Sequence, residues 1–199
     1  MKNSTFKTIK KSTEVLFKER GSKFIGYAYP IENEKDIKEK LDNLKIQYPD
    51  ATHICYAWIL GNNYRANDDG EPNNSAGQPI LREIKSKELQ NVLVAVVRYF
   101  GGKKLGVSGL IEAYGESAKM ALETTEIIEI EPTTKFKMKE LGKLDYKIYE
   151  ISNRLGFEIL APANTVGDWF VCRCKMVDFE SLQSSFNEMP NFELNQINE

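Results

Sequence analysis

The run Val92-Leu93-Val94-Ala95-Val96-Val97 constrains this chain more than any other stretch. It is continuously apolar and rich in β-branched residues, so it offers no polar side to water and predicts a strand buried on both faces at the centre of a sheet. The residues around it predict its neighbours. Ser12 to Arg20 and Lys23 to Tyr29 are β-prone runs flanking Gly21-Ser22, a hairpin that Pro30 ends. Asn33 is placed to cap a helix whose apolar positions, Ile37, Leu41, Leu44 and Tyr48, recur every three or four residues. His53 to Leu60, bounded by Pro49-Asp50 and Gly61-Asn62, predicts a third strand. From Gly61 to Gly77 the composition turns to Asn, Asp, Gly, Glu, Pro and Ser with no apolar period, which predicts a long loop, and a short helix from about Pro79 to Lys87 follows. Beyond the central strand, Ser108 is expected to open a helix running to about Glu123. Its small residues Ala113, Gly115, Ser117 and Ala118 would let it lie close on the sheet, and Glu126 to Ile130 predicts one more strand.

Glu131-Pro132-Thr133-Thr134 is polar and separates two patterns, so residues 1–131 and 134–199 are expected to form separate domains. The second pattern has a strand at Lys135 to Glu140 and a helix from Asp145 to Leu155 with Gly156 as terminator. A hairpin of Phe157 to Val166 and Trp169 to Met176 turns about Gly167-Asp168, then come a helix from Asp178 to Met189 stopped by Pro190 and a strand from Phe192 to Ile197. The order βαββαβ is the ferredoxin-like arrangement, and the whole chain is expected to be α+β.

Composition excludes several classes. No run of about 18 apolar residues exists, and Met1 to Lys11 is polar and basic, so neither membrane span nor signal is expected and the expected location is the cytoplasm. Cys55, Cys172 and Cys174 are too few for a disulfide framework, and the last two, two apart in a strand, point to one face as small hydrophobes. With His53 the only histidine, a sulfur-ligated metal site is not expected, nor is a cofactor. Residues 1–131 hold 19 basic and 19 acidic residues and the remainder 8 and 10, so neither half has the positive excess of a nonspecific duplex binder.

Two clusters carry possible chemistry. Asp68-Asp69-Gly70-Glu71-Pro72 places three carboxylates within four positions, able to hold Mg²⁺, to act as a base, or to accept backbone N–H bonds and organise their own loop. Arg98-Tyr99-Phe100-Gly101-Gly102-Lys103-Lys104-Leu105-Gly106-Val107-Ser108 takes a buried strand through a cation and glycines into a helix start, a combination suited to an anion. Neither a P-loop nor a dinucleotide fingerprint is present. The plainer reading is that Arg98 pairs with Asp68 or Asp69 while the glycines permit a tight turn. His53 is a possible acid or base near neutral pH. Tyr56, Trp58, Tyr99 and Phe100 lie in apolar runs and are expected in the core or on the strand surface.

Gly21-Ser22-Lys23-Phe24, His53 with Cys55-Tyr56-Ala57, Asp68 to Pro72, Ala76-Gly77-Gln78-Pro79 and Asn91 to Gly115 together resemble, in order, the signature of the YigZ and IMPACT family. The resemblance implies a first domain like the second domain of ribosomal protein S five and a second domain like a ferredoxin-like one of elongation factor G. The family's glycine segment commonly reads Leu-Gly-x-Gly-Gly-Leu. Here Ser108 stands at a common glycine position, offering a hydroxyl and a helix cap.

IMPACT relatives regulate translation through protein partners, so the resemblance implies a noncatalytic binding protein of translation or its regulation. RNA, the ribosome or a translation-related protein is the expected partner, engaged through Arg98, Gly101, Gly102, Lys103, Lys104, Gly106 and Ser108, with Asp68, Asp69 and Glu71 shaping the site. The alternative is a divalent-metal-assisted hydrolase or phosphate-handling enzyme using the acidic loop, with His53 moving a proton. The oligomeric state is left open.

Overall fold

A computed structural model describes residues 5–142, 144–162 and 169–197. Two compact units result, Phe6–Ile130 and the chain from Glu131 onward.

In the first unit β1 (Phe6–Ile9) pairs antiparallel with β7 (Ile127–Ile130). The main sheet holds β2 (Thr13–Glu19), β3 (Ser22–Pro30), β4 (His53–Leu60), β5 (Asn63–Asn67) and β6 (Val92–Tyr99) in the order β2-β3-β6-β4-β5, every neighbour antiparallel. The apolar run is indeed the central strand. Its even residues Val92, Val94 and Val96 pack with Ile80, Ile84, Tyr114 and Ala118, on the side of α2 (Gly77–Ser86) and α3 (Gly106–Glu123). Its odd residues Leu93, Ala95 and Val97 pack with Ile37 and Leu44 of α1 (Glu34–Gln47). Helices on both faces are what an unbroken apolar strand requires, since either face left wet would forfeit roughly 1.5–3 kcal/mol per side chain.

The local reasons are visible. Asn33 and Asp36 form a reciprocal capping box: Asn33 Oδ1 accepts from the Asp36 N–H at 3.1 Å while Asp36 Oδ2 accepts from the Asn33 N–H at 3.3 Å. The β2–β3 hairpin turns through Arg20 at φ 46° and Gly21 at φ 85°, the positive pair that matches strand twist.

Three expectations change. The stretch read as one loop contains β5, a short edge strand that pairs only with β4 and whose polar residues stay exposed or half-buried, so its side chains carry no apolar period. The helix expected to open at Ser108 begins at Gly106. Gly115 does not mediate close packing: Ala113, Ser117 and Ala118 are buried, but the nearest approach to the sheet falls at Gly26, whose added Cβ would lie 2.7 Å from the Ser117 carbonyl oxygen.

In the second unit β8 (Thr133–Glu140), α4 (Tyr146–Leu155), β9 (Glu158–Ala161), β10 (Phe170–Lys175), α5 (Phe179–Asn187) and β11 (Phe192–Gln196) give the βαββαβ order. The antiparallel sheet runs β11-β8-β10-β9, the ferredoxin-like sequence of strands. Phe136, Met138, Ile148, Phe170, Phe179 and Phe186 fill its core. Gly156, at φ 75°, ends α4 as a left-handed cap. The expected turn at Gly167-Asp168 and the strand residues beyond Pro162 lie outside the described residues.

Cys172 and Cys174 share the buried face of β10, and burial pushes their thiols up to about 12 and about 11. No helix among the described residues is long and apolar enough to cross a membrane.

Because the capping box satisfies two otherwise orphaned donors, Asn33→Ala is expected to lower stability by about 1 kcal/mol. Urea unfolding with an unchanged m-value checks this.

Candidate functional site

Strand alternation carries the even face of β6 one step further, to Arg98. Cross-strand register sets Phe24 of β3 on one side of it and His53 of β4 on the other. A cation therefore continues a buried apolar row, on the face where α3 packs. It is paired: Arg98 Nη1 donates to Glu71 Oε1 at 2.5 Å, with the two side chains only 6% and 4% exposed. Tyr114 of α3 donates its hydroxyl to the same oxygen at 2.8 Å. The guanidinium lies 5.4 Å from the Phe24 ring centroid and 5.7 Å from that of Phe100, and its Nε is buried without a hydrogen-bond partner.

The partner of Arg98 is thus Glu71, not Asp68 or Asp69. Those two organise the loop. Asp68 Oδ1 accepts from the N–H groups of Ala76 and Gly77 at 3.0 and 2.8 Å, and its Oδ2 accepts from that of Asn74 at 2.9 Å. Asp69 Oδ2 accepts from the Ile54 N–H at 2.6 Å, tying the loop to β4. From Asp68 to Glu71 the chain reverses through Asp69 at φ 44° and Gly70 at φ 87°, closed by the Glu71 N–H on the Asp68 carbonyl at 2.9 Å. That turn aims Glu71 inward.

His53 also joins the group. Its Nδ1 lies 2.7 Å from the Asp69 carbonyl oxygen, so in the neutral ring Nδ1–H donates there, and Nε2 lies 3.8 Å from Glu71 Oε1. Cys55 donates its thiol to the Asp68 carbonyl at 3.0 Å. Burial above all holds both the Cys55 thiol and the Tyr114 phenol well above their ordinary ranges, reinforced at Tyr114 by the Cys55 thiol and then Glu71, and at Cys55 by the nearby carboxylates, so both stay protonated donors.

The glycines divide by role. A Cβ on Gly101 would fall 1.9 Å from the carbonyl carbon of Gly21, so this position exists to let the end of β6 lie against the hairpin turn. Ser22 Oγ, at the first residue of β3 after that turn, accepts from the Gly101 N–H at 3.2 Å. Gly102 and Gly106, at φ 83° and 76°, turn the chain into α3. Ser108 is not the cap: it lies inside α3 and is exposed, the cap position is Leu105, and no side chain caps the helix. The first N–H groups of α3 therefore have no intrahelical partner.

A cleft of about 380 Å³ opens over this assembly, lined among others by His53, Glu71, Arg98, Phe100, Lys104 and the first turn of α3 at Gly106 and Val107. Lys104 lines it; Lys103, Asp68, Asp69, Gly101, Gly102 and Ser108 do not. Thr52, Pro72 and Phe100 complete the walls, and Phe100 is 47% exposed beside the cleft rather than part of a core. Among the residues sequence reasoning missed, Tyr114 had a signal: a tyrosine within an apolar helix face needs a polar partner for its hydroxyl. Among the described residues no group of three or more His, Cys, Asp or Glu side chains is arranged to hold a metal ion.

Removing one member of a buried ion pair leaves an uncompensated charge, so Glu71→Leu is expected to cost roughly 3–5 kcal/mol. Adding Arg98→Met should return much of that loss in urea unfolding.

The Impact N-terminal domain matches residues 20–122, which contain every element of this site. YvyE of Bacillus subtilis (strain 168), an IMPACT family member, is 38% identical over 125 residues, 61% of this chain and 58% of that protein. The chain thus spans little more than half the length of that relative. YigZ of Escherichia coli (strain K12), another IMPACT family member, is 31% identical over 174 residues, covering 79% of this chain and 85% of YigZ. Among solved structures, one described as a hypothetical protein superposes with a TM-score of 0.69 at 24% identity, covering 98% of both chains, and so shares the fold. A domain match over the ion-pair assembly and a relative aligned along most of its length agree: the chain belongs to the IMPACT family.

Proposed function

We infer that this protein is a noncatalytic binding protein of translation regulation, and that its first unit engages an anionic group of the translation apparatus at the cleft over Arg98. Family membership supports the translational setting. The observation that carries the binding mode is the start of α3: an 18-residue helix opens uncapped beside Lys104 at the cleft wall. Free N–H groups and the positive end of the helix dipole favour a phosphate or carboxylate there. The ion pair beneath is charge-balanced, so Arg98 supplies shape to the floor while Lys104 and the helix supply the attraction. His53 and Phe100 flank the same space, one polar and one flat and apolar, suiting an anion carried on a larger group.

The enzymatic alternative finds less support. Asp68, Asp69 and Glu71 already accept hydrogen bonds from the protein, as described above, so none is set aside as a free base or ligand.

Co-sedimentation with ribosomes across a salt series tests this reading. Wild-type binding is expected to weaken as salt rises, and Lys104→Glu to weaken it at low salt and reduce the salt slope by about 1. Lys103→Glu should act less, since Lys103 stands outside the cleft. No pelleting of the wild type, or equal pelleting of Lys104→Glu, overturns the assignment.

A further inference from the structure

The same unit has a second cleft, of about 560 Å³, with the opposite electrostatic character. Its floor is apolar, from half-buried Phe17 of β2 and Ile111 of α3 with Ala113 beneath. Its rim carries Glu19, Glu83, Glu112 and Glu116 against two cations, Arg20 and Lys119. Arg20 sits 3.6 Å from Glu19, and nearby Lys87 is committed to Glu123 at 3.4 Å. Among the described residues, Glu83, Glu112 and Glu116 have no ion-pair partner.

Two features of α3 are unexplained by the fold and explained by an occupant. Glu112 and Glu116 are like charges one helical turn apart, an arrangement that destabilises an isolated helix. Gly115 stands in the helix interior, where glycine is among the poorest formers, yet an added Cβ would meet only Pro79 Cβ, at 3.9 Å, an ordinary contact. A side chain fits there as far as the protein is concerned. What its absence preserves is the open cleft.

We propose that this cleft is a docking site for a basic, aliphatic peptide segment of a protein partner. An aliphatic side chain would lie on Phe17 and Ile111 over Gly115, with lysine or arginine on either side facing Glu83 and the Glu112–Glu116 pair. Charge complementarity selects this occupant: the acidic rim repels nucleic-acid phosphates and suits cations carried on apolar stems. The site is independent of the anion-binding reading, since its charged residues line a different cavity.

The test is selection of a random twelve-residue peptide library on the full chain, followed by titration of the enriched peptides against ¹⁵N-labelled protein. Enriched peptides are expected to carry net positive charge around an aliphatic residue and to shift the resonances of Phe17, Ile111 and Gly115 saturably. Glu112→Lys/Glu116→Lys should weaken binding at least tenfold, and Glu34→Lys/Glu39→Lys, on the exposed side of α1, less than twofold. Gly115→Leu should abolish binding while raising Tm, because it fills the cleft and improves the helix; a purely structural glycine would instead lower Tm. Failure to enrich any peptide, enrichment of uncharged or acidic ones, or equal losses in both charge-reversed variants overturns the proposal. So does a concentration-dependent dimer, seen by sedimentation velocity and abolished by Glu112→Lys/Glu116→Lys, which would assign the cleft to a second copy of this chain.

Discussion

The buried contact between Arg98 and Glu71 is the constraint around which the first unit is arranged. Taking two charges out of water is costly, and here the cost is met by convergence: a strand end brings the guanidinium, a loop brings the carboxylate, α3 brings the Tyr114 hydroxyl and two aromatic rings face the cation. Each of these comes from a different part of the chain. The loop can deliver Glu71 only because Asp68 and Asp69 bind backbone N–H groups around it, and the strand end can carry Arg98 only because Gly101 lets the hairpin turn press against it. Acidic loop and glycine turn, which look like two motifs in the sequence, are two halves of one assembly.

That assembly was partly legible. The continuous apolar run identified the central strand because no surface strand can have two apolar faces, and Gly21 marked the hairpin, whose turn lies one residue earlier than expected, at Arg20-Gly21, because both turn residues take positive φ and Ser22 already pairs with Glu19. The ferredoxin-like unit followed from periodicity, its helices each showing one apolar stripe. The short strand β5 was hidden because it is an edge strand held largely by its ladder to β4, with only Ala66 packing against the core, so side-chain polarity leaves little trace of it.

The site was legible in composition but not in pairing. Three carboxylates within four positions are equivalent to a reader of the sequence, and what distinguishes Glu71 is the turn at Asp69-Gly70, whose dihedral angles set which side chain faces inward. The start of α3 was misjudged for a related reason. Ser108 has the chemistry of a cap, yet the helix is opened two residues earlier by the backbone freedom of Gly106. Tyr114 and the open side of Gly115 depend on what lies across a cleft, which linear spacing does not encode.

A strand that is greasy on both sides has a weakness: sliding it by one residue exchanges Val92, Val94 and Val96 for Leu93, Ala95 and Val97, one apolar set for another, and costs little in hydrophobic terms. Arg98 removes that ambiguity. A slip by one position would turn its guanidinium toward α1, among Leu44, Tyr27 and Tyr48, and would leave the buried Glu71 carboxylate facing the Tyr99 ring without its cation. The misaligned sheet would carry a stranded charge that no rearrangement of valines could offset, so a single residue at the strand's end proofreads the alignment of the whole ladder.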